Sequence, residues 1–193
     1  MSQTTKHALE ASLKELLQQK PLNKITVSEI AENCEVNRMT FYYHFKDIYD
    51  LVEWCCVEDA AKALKGKKSF LTWQEGFLNT FHVILENKLF VKNVYRSISK
   101  EQITAYIGPL VHDLVLGVVK ELSAGMTVSE ADQKFIAGFY EYAFLGIVRD
   151  WIERDMKEDP EEIVSRTSIL VHGNISRALE AFRTDRISSD PVR

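Results

Sequence analysis

The chain has 193 residues, 46% hydrophobic and 27% charged, with only eight Gly and four Pro, enough to bury a core in one generous domain or two small ones. This composition excludes a disordered or fibrous protein, and so few breakers favour long helices. The net charge of −4 argues against coating nucleic acid by bulk charge and leaves room for a small local site.

Helical periodicity runs from end to end without a convincing alternating pattern, so the expected class is all-α. The expected layout is an N-terminal three-helix helix-turn-helix domain followed by a larger C-terminal helical bundle. Leu9, Leu13, Leu16 and Leu17 make one apolar stripe on a first helix that stops before Pro21. Thr26-Val27-Ser28-Glu29 is a capping box opening a short second helix, on which Val27, Ile30, Ala31 and Cys34 keep helical spacing. Glu35 and Val36 form a tight connection, and Asn37 caps a third helix. A fourth begins at Asp47 and runs toward Leu64, after which residues 65–69 read as an exposed connection.

Longer helices are expected over 73–86, 90–97, 101–123, 129–157 and 160–182. Pro109 should kink or split the third of these, and Thr127-Val128-Ser129-Glu130 repeats the capping-box pattern ahead of the fourth. Asp159-Pro160 places Pro at a helix start. The chain thus divides into a segment of short helices over 1–50, a segment of longer helices over 51–183, and a flexible tail over 184–193.

Cys34, Cys55 and Cys56 are odd in number and two are adjacent, which fits neither a disulfide framework nor a zinc site. A reducing cytoplasm is the expected location. The polar first ten residues predict no signal peptide, and the apolar stretch 103–119 is interrupted by Pro109, His112 and Asp113, which predicts no membrane span.

Residues 25–46 have the layout of a helix-turn-helix, in which a second short helix is offered to the major groove. At 100° per residue, Phe41 and Phe45 fall on one side of that helix, Met39 and Tyr43 opposite, and Thr40 and Tyr42 between them. The outer arc presents a thioether, hydroxyls and phenols suited to thymine methyls, base edges and phosphates, and Arg38 can fork onto guanine. The alternative is that Tyr42, Tyr43 and His44 pack between helices, but burying both arcs would leave so short a helix no solvent face.

With its Ile30-Ala31 and its Thr-Phe-Tyr-Tyr-His-Phe run over 40–45, the segment resembles the DNA-binding domain of the TetR family of bacterial transcription regulators. The resemblance implies a symmetric homodimer on a palindromic double-stranded operator. By matching positions, it implies that Thr26 and Ser28 face phosphate. It has Asn37, Arg38, Met39, Thr40 and Tyr43 read the groove, while Tyr42, His44 and Lys46 grip the backbone. Two residues depart from the family pattern: Glu35 stands where Gly is usual in the turn, and Ile48 where many members carry a phosphate-binding Lys. A narrower resemblance, to dihydroxyacetone-kinase operon regulators, rests on residues 40–54, Gly146-Ile-Val-Arg-Asp-Trp-Ile152 and Glu158-Asp-Pro-Glu-Glu162. It implies that an activator working with a protein co-regulator is as open as a repressor.

His82, Tyr95, His112, Tyr140 and Tyr142 are polar groups on otherwise apolar helices and are candidates to line a cavity for a small-molecule effector. Taken singly, each is more readily an ordinary core or surface side chain. Phe139, Gly146, Ile163 and Leu170 lie in helices with more apolar surface than one chain needs, which suggests a four-helix dimer interface, with intrachain packing as the alternative. The chain carries no P-loop, dinucleotide fingerprint, His-Glu-x-x-His or nucleophile elbow, so neither catalysis nor a metal or cofactor is expected. A competing reading, motivated by the acidic charge, Glu35 and Ile48, is an all-helical protein-interaction module without DNA binding. Residues 1–46 hold six basic against five acidic residues, so the acidic excess belongs to the remainder.

Overall fold

A computed structural model describes residues 3–67 and 69–185, and the described residues are helical without strands. The elements are α1 (Gln3–Leu16), a 3-10 turn (Leu22–Lys24), α2 (Val27–Asn33), α3 (Arg38–His44), α4 (Ile48–Ala63) and α5 (Trp73–Glu86). They continue as α6 (Lys88–Ser97), α7 (Lys100–Leu122), α8 (Glu130–Glu153), α9 (Pro160–Val171) and α10 (Asn174–Phe182). Two compact units form: one holds the chain up to Ala63 together with His82–Ile107, the other Leu64–Phe81 with the chain from Gly108 onward.

In the first unit the leucine stripe of α1 is sealed by the other helices. Leu9, Leu13, Ile30, Phe41, Leu51, Val52 and Cys55 are fully buried, and Phe90 and Val94 of α6 join them. The Ser12 hydroxyl donates to the Ile30 carbonyl at 2.8 Å, tying α1 to α2 through a buried polar contact that is satisfied. Burial pushes the Cys55 thiol up, and that of Cys56 to about 12, so both are inert at neutral pH.

The second unit packs Val115 and Val119 of α7 against Ile136, Ala137 and Tyr140 of α8 and Ile175 and Leu179 of α10. Phe77, Phe81, Phe144 and Trp151 make a ladder of edge-on ring contacts 4.8–4.9 Å between centroids. The Trp151 indole donates to the Glu158 carbonyl at 2.9 Å.

Several boundaries depart from the periodicity. α7 continues through Pro109 instead of splitting. The cap of α8 is Ser129, whose hydroxyl accepts from the Asp132 amide, two residues beyond the expected Thr127. α8 ends at Glu153, followed by Asp155 and Met156 at positive φ. The expected last helix is two, because Gly173 adopts a left-handed conformation (φ 75°) between α9 and α10. At the start of the expected tail, Thr184 is anchored, donating its amide to the Thr127 carbonyl at 2.9 Å. The rest of that tail, residues 186–193, lies outside the described residues.

α7 is the one helix among the described residues long and apolar enough to cross a membrane by length and composition. Within it Val115, Val118 and Val119 are buried, and His112 meets the Glu141 carboxylate at 2.9 Å.

Candidate nucleic-acid interface

Two short helices and the turn between them build the site. At the start of α2, the Thr26 hydroxyl accepts from the Glu29 amide at 3.3 Å, and the Glu29 carboxylate accepts from the Thr26 amide at 2.9 Å, so two orphan donors are satisfied at once. Lys20 pairs with the same carboxylate; that bond and those from Thr26 pull Glu29 down to about 2, so it stays ionised. The Thr26 hydroxyl also donates to Glu29 at 2.9 Å, so a phosphate would have to compete with the cap for it.

α2 ends in the turn where Glu35 takes a left-handed conformation, φ 56°. The Val36 amide then donates back to Ala31 at 2.9 Å and closes the turn. Asn37 caps α3, its side-chain carbonyl accepting from the Thr40 amide at 2.8 Å and the Thr40 hydroxyl at 3.0 Å. That oxygen is committed to the cap, leaving the Asn37 amide group for a base or phosphate. Phe41 and Phe45 are buried on the inner side of α3, while Met39 is 74% and Tyr43 83% exposed on the outer side. Arg38 is exposed at the first position of the helix and makes no ion pair among the described residues. Tyr42 is half-exposed, and His44 is half-buried with its ring edge-on to Tyr43 at 5.0 Å. Exposed Lys46 donates its backbone amide to Asp50, fixing the start of α4, and Ser28 is half-buried in the first turn of α2.

Two side chains at this end had no local signal in the sequence. Tyr49 is 46% exposed at the start of α4, close in sequence to Lys46. Lys6 lies over the rings of Phe45 and Trp54, 5.4 and 5.5 Å from their centroids, so α1 reaches the end of the reading helix. With Lys6 stacked and Lys14 and Lys20 in ion pairs, Lys24, Arg38 and Lys46 are the cations of residues 1–46 left to meet DNA.

The five polar candidates for an effector cavity are not gathered into one cluster by either unit. His82 and Tyr95 belong to the first unit, His82 exposed and Tyr95 half-buried. His112, Tyr140 and Tyr142 belong to the second. Tyr140 is buried in its core, where burial raises the phenol. Tyr142, two residues on and therefore about 200° around α8, is 71% exposed. It shares an outward stripe with Phe135 and Phe139, and Gly138 and Gly146 beside them have no atom within 4 Å of where a Cβ would stand. On α9, Leu170 is exposed, and Ile163, seven residues earlier on the same face, is half-buried.

Comparison with known proteins agrees with this geometry. The family described as "Bacterial regulatory proteins, tetR family" matches residues 9–55, and "Transcriptional regulator C-terminal region" matches residues 71–173. The HTH-type dhaKLM operon transcriptional activator DhaS of Lactococcus lactis subsp. lactis (strain IL1403) is 25% identical over 91 residues, 47% of this chain and 49% of that protein. The chain thus aligns with about half the length of that relative. Among solved structures, a dihydroxyacetone kinase operon activator DhaS superposes with a TM-score of 0.69 at 21% identity, covering 93% of this chain and 98% of that one. NalD, the secondary repressor of the MexAB-OprM multidrug efflux pump in Pseudomonas aeruginosa, superposes with a TM-score of 0.54 at 14% identity, covering 97% and 100%. These likenesses favour the regulator over an interaction module without DNA binding. With both halves matched, the chain belongs to the TetR family of bacterial regulatory proteins and is a DNA-binding transcriptional regulator.

Proposed function

We propose that the protein binds a palindromic operator as a symmetric homodimer in the cytoplasm and activates a dihydroxyacetone kinase operon. The observation that carries the DNA-reading part is the outer arc of α3, where Arg38, Met39 and Tyr43 stand exposed over a buried Phe41. Residues 1–50 read the operator, with Asn37, Arg38, Met39, Thr40 and Tyr43 toward the groove. Thr26, Ser28, Tyr42, His44 and Lys46 act on the backbone. Residues 51–183 hold the dimer and effector surfaces. The Phe135, Phe139 and Tyr142 stripe, with Gly138 and Gly146 for close helix approach, supports dimerisation through α8, with Ile163 and Leu170 of α9 contributing. Likeness to the two DhaS proteins supports the operon assignment. The chain works by binding rather than by catalysis, and its signal arrives as a protein co-regulator or a small molecule.

Selection from random duplexes should enrich a palindrome whose half-site centres lie about 34–36 Å apart. Deleting the gene should then lower expression of a dihydroxyacetone kinase reporter. A rise on deletion would make the protein a repressor, and failure to enrich any palindrome would overturn the operator reading.

A further inference from the structure

The seven residues of α3 include no Asp, Glu, Asn or Gln, the side chains whose oxygens take the amino groups of cytosine and adenine in the major groove. The neighbouring carboxylates lie outside the helix, Glu35 in the preceding turn and Asp47 bound to the Asp50 amide at 2.9 Å. At the helix start the Asn37 carbonyl is spent on the cap, accepting from the Thr40 amide at 2.8 Å and the Thr40 hydroxyl at 3.0 Å. What Asn37 and Arg38 still offer are N–H donors, which can meet only acceptors.

The rest of the outer arc is largely apolar. Met39, Tyr43 and Thr40 lie within about 100° of one another around the helix, opposite Phe41 and Phe45. Met39 and Tyr43 stand exposed, and with the Thr40 hydroxyl bound to Asn37 its methyl is the branch left to pack. A thioether and a methyl offer nothing to a phosphate; their gain comes from covering another apolar group. In the major groove that group is the thymine 5-methyl, and beside it the thymine O4 accepts from donors such as those of Arg38 and Asn37.

We propose that α3 selects its half-site chiefly through thymine, with Met39, Thr40 and Tyr43 packing on 5-methyl groups, while Arg38 and Asn37 donate to the oxygens of thymine or guanine beside them. The DNA this helix takes is therefore one whose contacted bases carry keto oxygens and methyl groups rather than amino groups. The inference rests on the operator reading above.

The test titrates the full-length protein, at fixed salt, on the selected palindrome with each thymine of one half-site replaced in turn by deoxyuridine, which keeps the base pair and removes one methyl. At one or more positions binding should weaken about three- to fivefold, the worth of one buried methyl. That loss should vanish in Met39→Ala, Tyr43→Ala or Thr40→Ser, the last of which keeps the hydroxyl for the cap and drops only its methyl. Deoxyuridine bound as tightly as thymidine at every position overturns the inference alone, and so does a loss that persists in all three variants. A wild type that selects no palindrome overturns the operator reading and this inference with it.

Discussion

Phe41 and Tyr43 stand two residues apart on α3, the first with no solvent exposure and the second 83% exposed. Two positions are 200° of helix rotation, so one residue anchors the helix and the other is offered outward. Phe41→Ala should therefore lower stability by about 3–5 kcal/mol, as large-to-small core changes do. Tyr43→Ala should leave thermal unfolding unchanged and cost about 1–3 kcal/mol of discrimination at one position of each half-site. Unfolding curves and binding to single-base operator variants separate the two; an equal loss on every sequence would make Tyr43 a phosphate contact.

Glu35 sits at φ 56° in the turn between the two short helices. A left-handed conformation costs a residue with a Cβ about 1–2 kcal/mol, while Gly loses about 0.5–1 kcal/mol more backbone entropy on folding. Glu35→Gly should thus raise stability by about 0.5–1 kcal/mol, measured by denaturant unfolding with an unchanged m-value. A loss of stability would mean that the Glu35 side chain contributes more than its backbone strain costs.

The helix-turn-helix was legible in the sequence because its signals are local: the caps at Thr26 and Asn37 bond within three residues of themselves. The break at Gly173 was hidden because Val171, Ile175 and Leu179 keep helical spacing across it. Thr127 and Ser129 both look like caps, and the choice is made at long range, where the Thr127 carbonyl accepts the Thr184 amide. Lys14 and Asp59 meet across 45 positions of sequence, a distance over which periodicity carries no information.

The acid limb of stability should report Glu10. Burial alone would raise its carboxyl, but hydrogen bonds from Lys14 and His7 outweigh this and hold it below the ordinary 4.5. A depressed carboxyl stabilises the fold above its unfolded value and loses that contribution as pH falls through the folded one. Burial likewise pulls Lys14 down, and its bonds to Asp59 and Glu10 raise it past 10.5, so its contribution persists below that value and is lost in strong alkali. Glu10→Gln should lower the neutral plateau and flatten the fall in stability below pH 4.5, because the contribution lost on acidification is already absent. An acid limb as steep as that of the wild type would show that Glu10 makes no such contribution.

The salt dependence of operator binding follows from which cations are already engaged. Of the six basic residues in 1–46, Lys6 is stacked on rings, and Lys14 and Lys20 are paired with carboxylates. Lys24 and Lys46 remain for phosphate while Arg38 is turned to the groove, which gives about four phosphate contacts in a dimer if both engage and therefore a log–log salt slope of about −4. Lys46→Gln removes one contact from each subunit. It should make the slope shallower by about 2 while weakening all duplexes alike, because phosphate contacts carry no sequence information. Lys20→Gln should leave the slope unchanged, since that ammonium is spent on Glu29. A slope that responds to Lys20 and not to Lys46 would place the DNA on a different face of these helices.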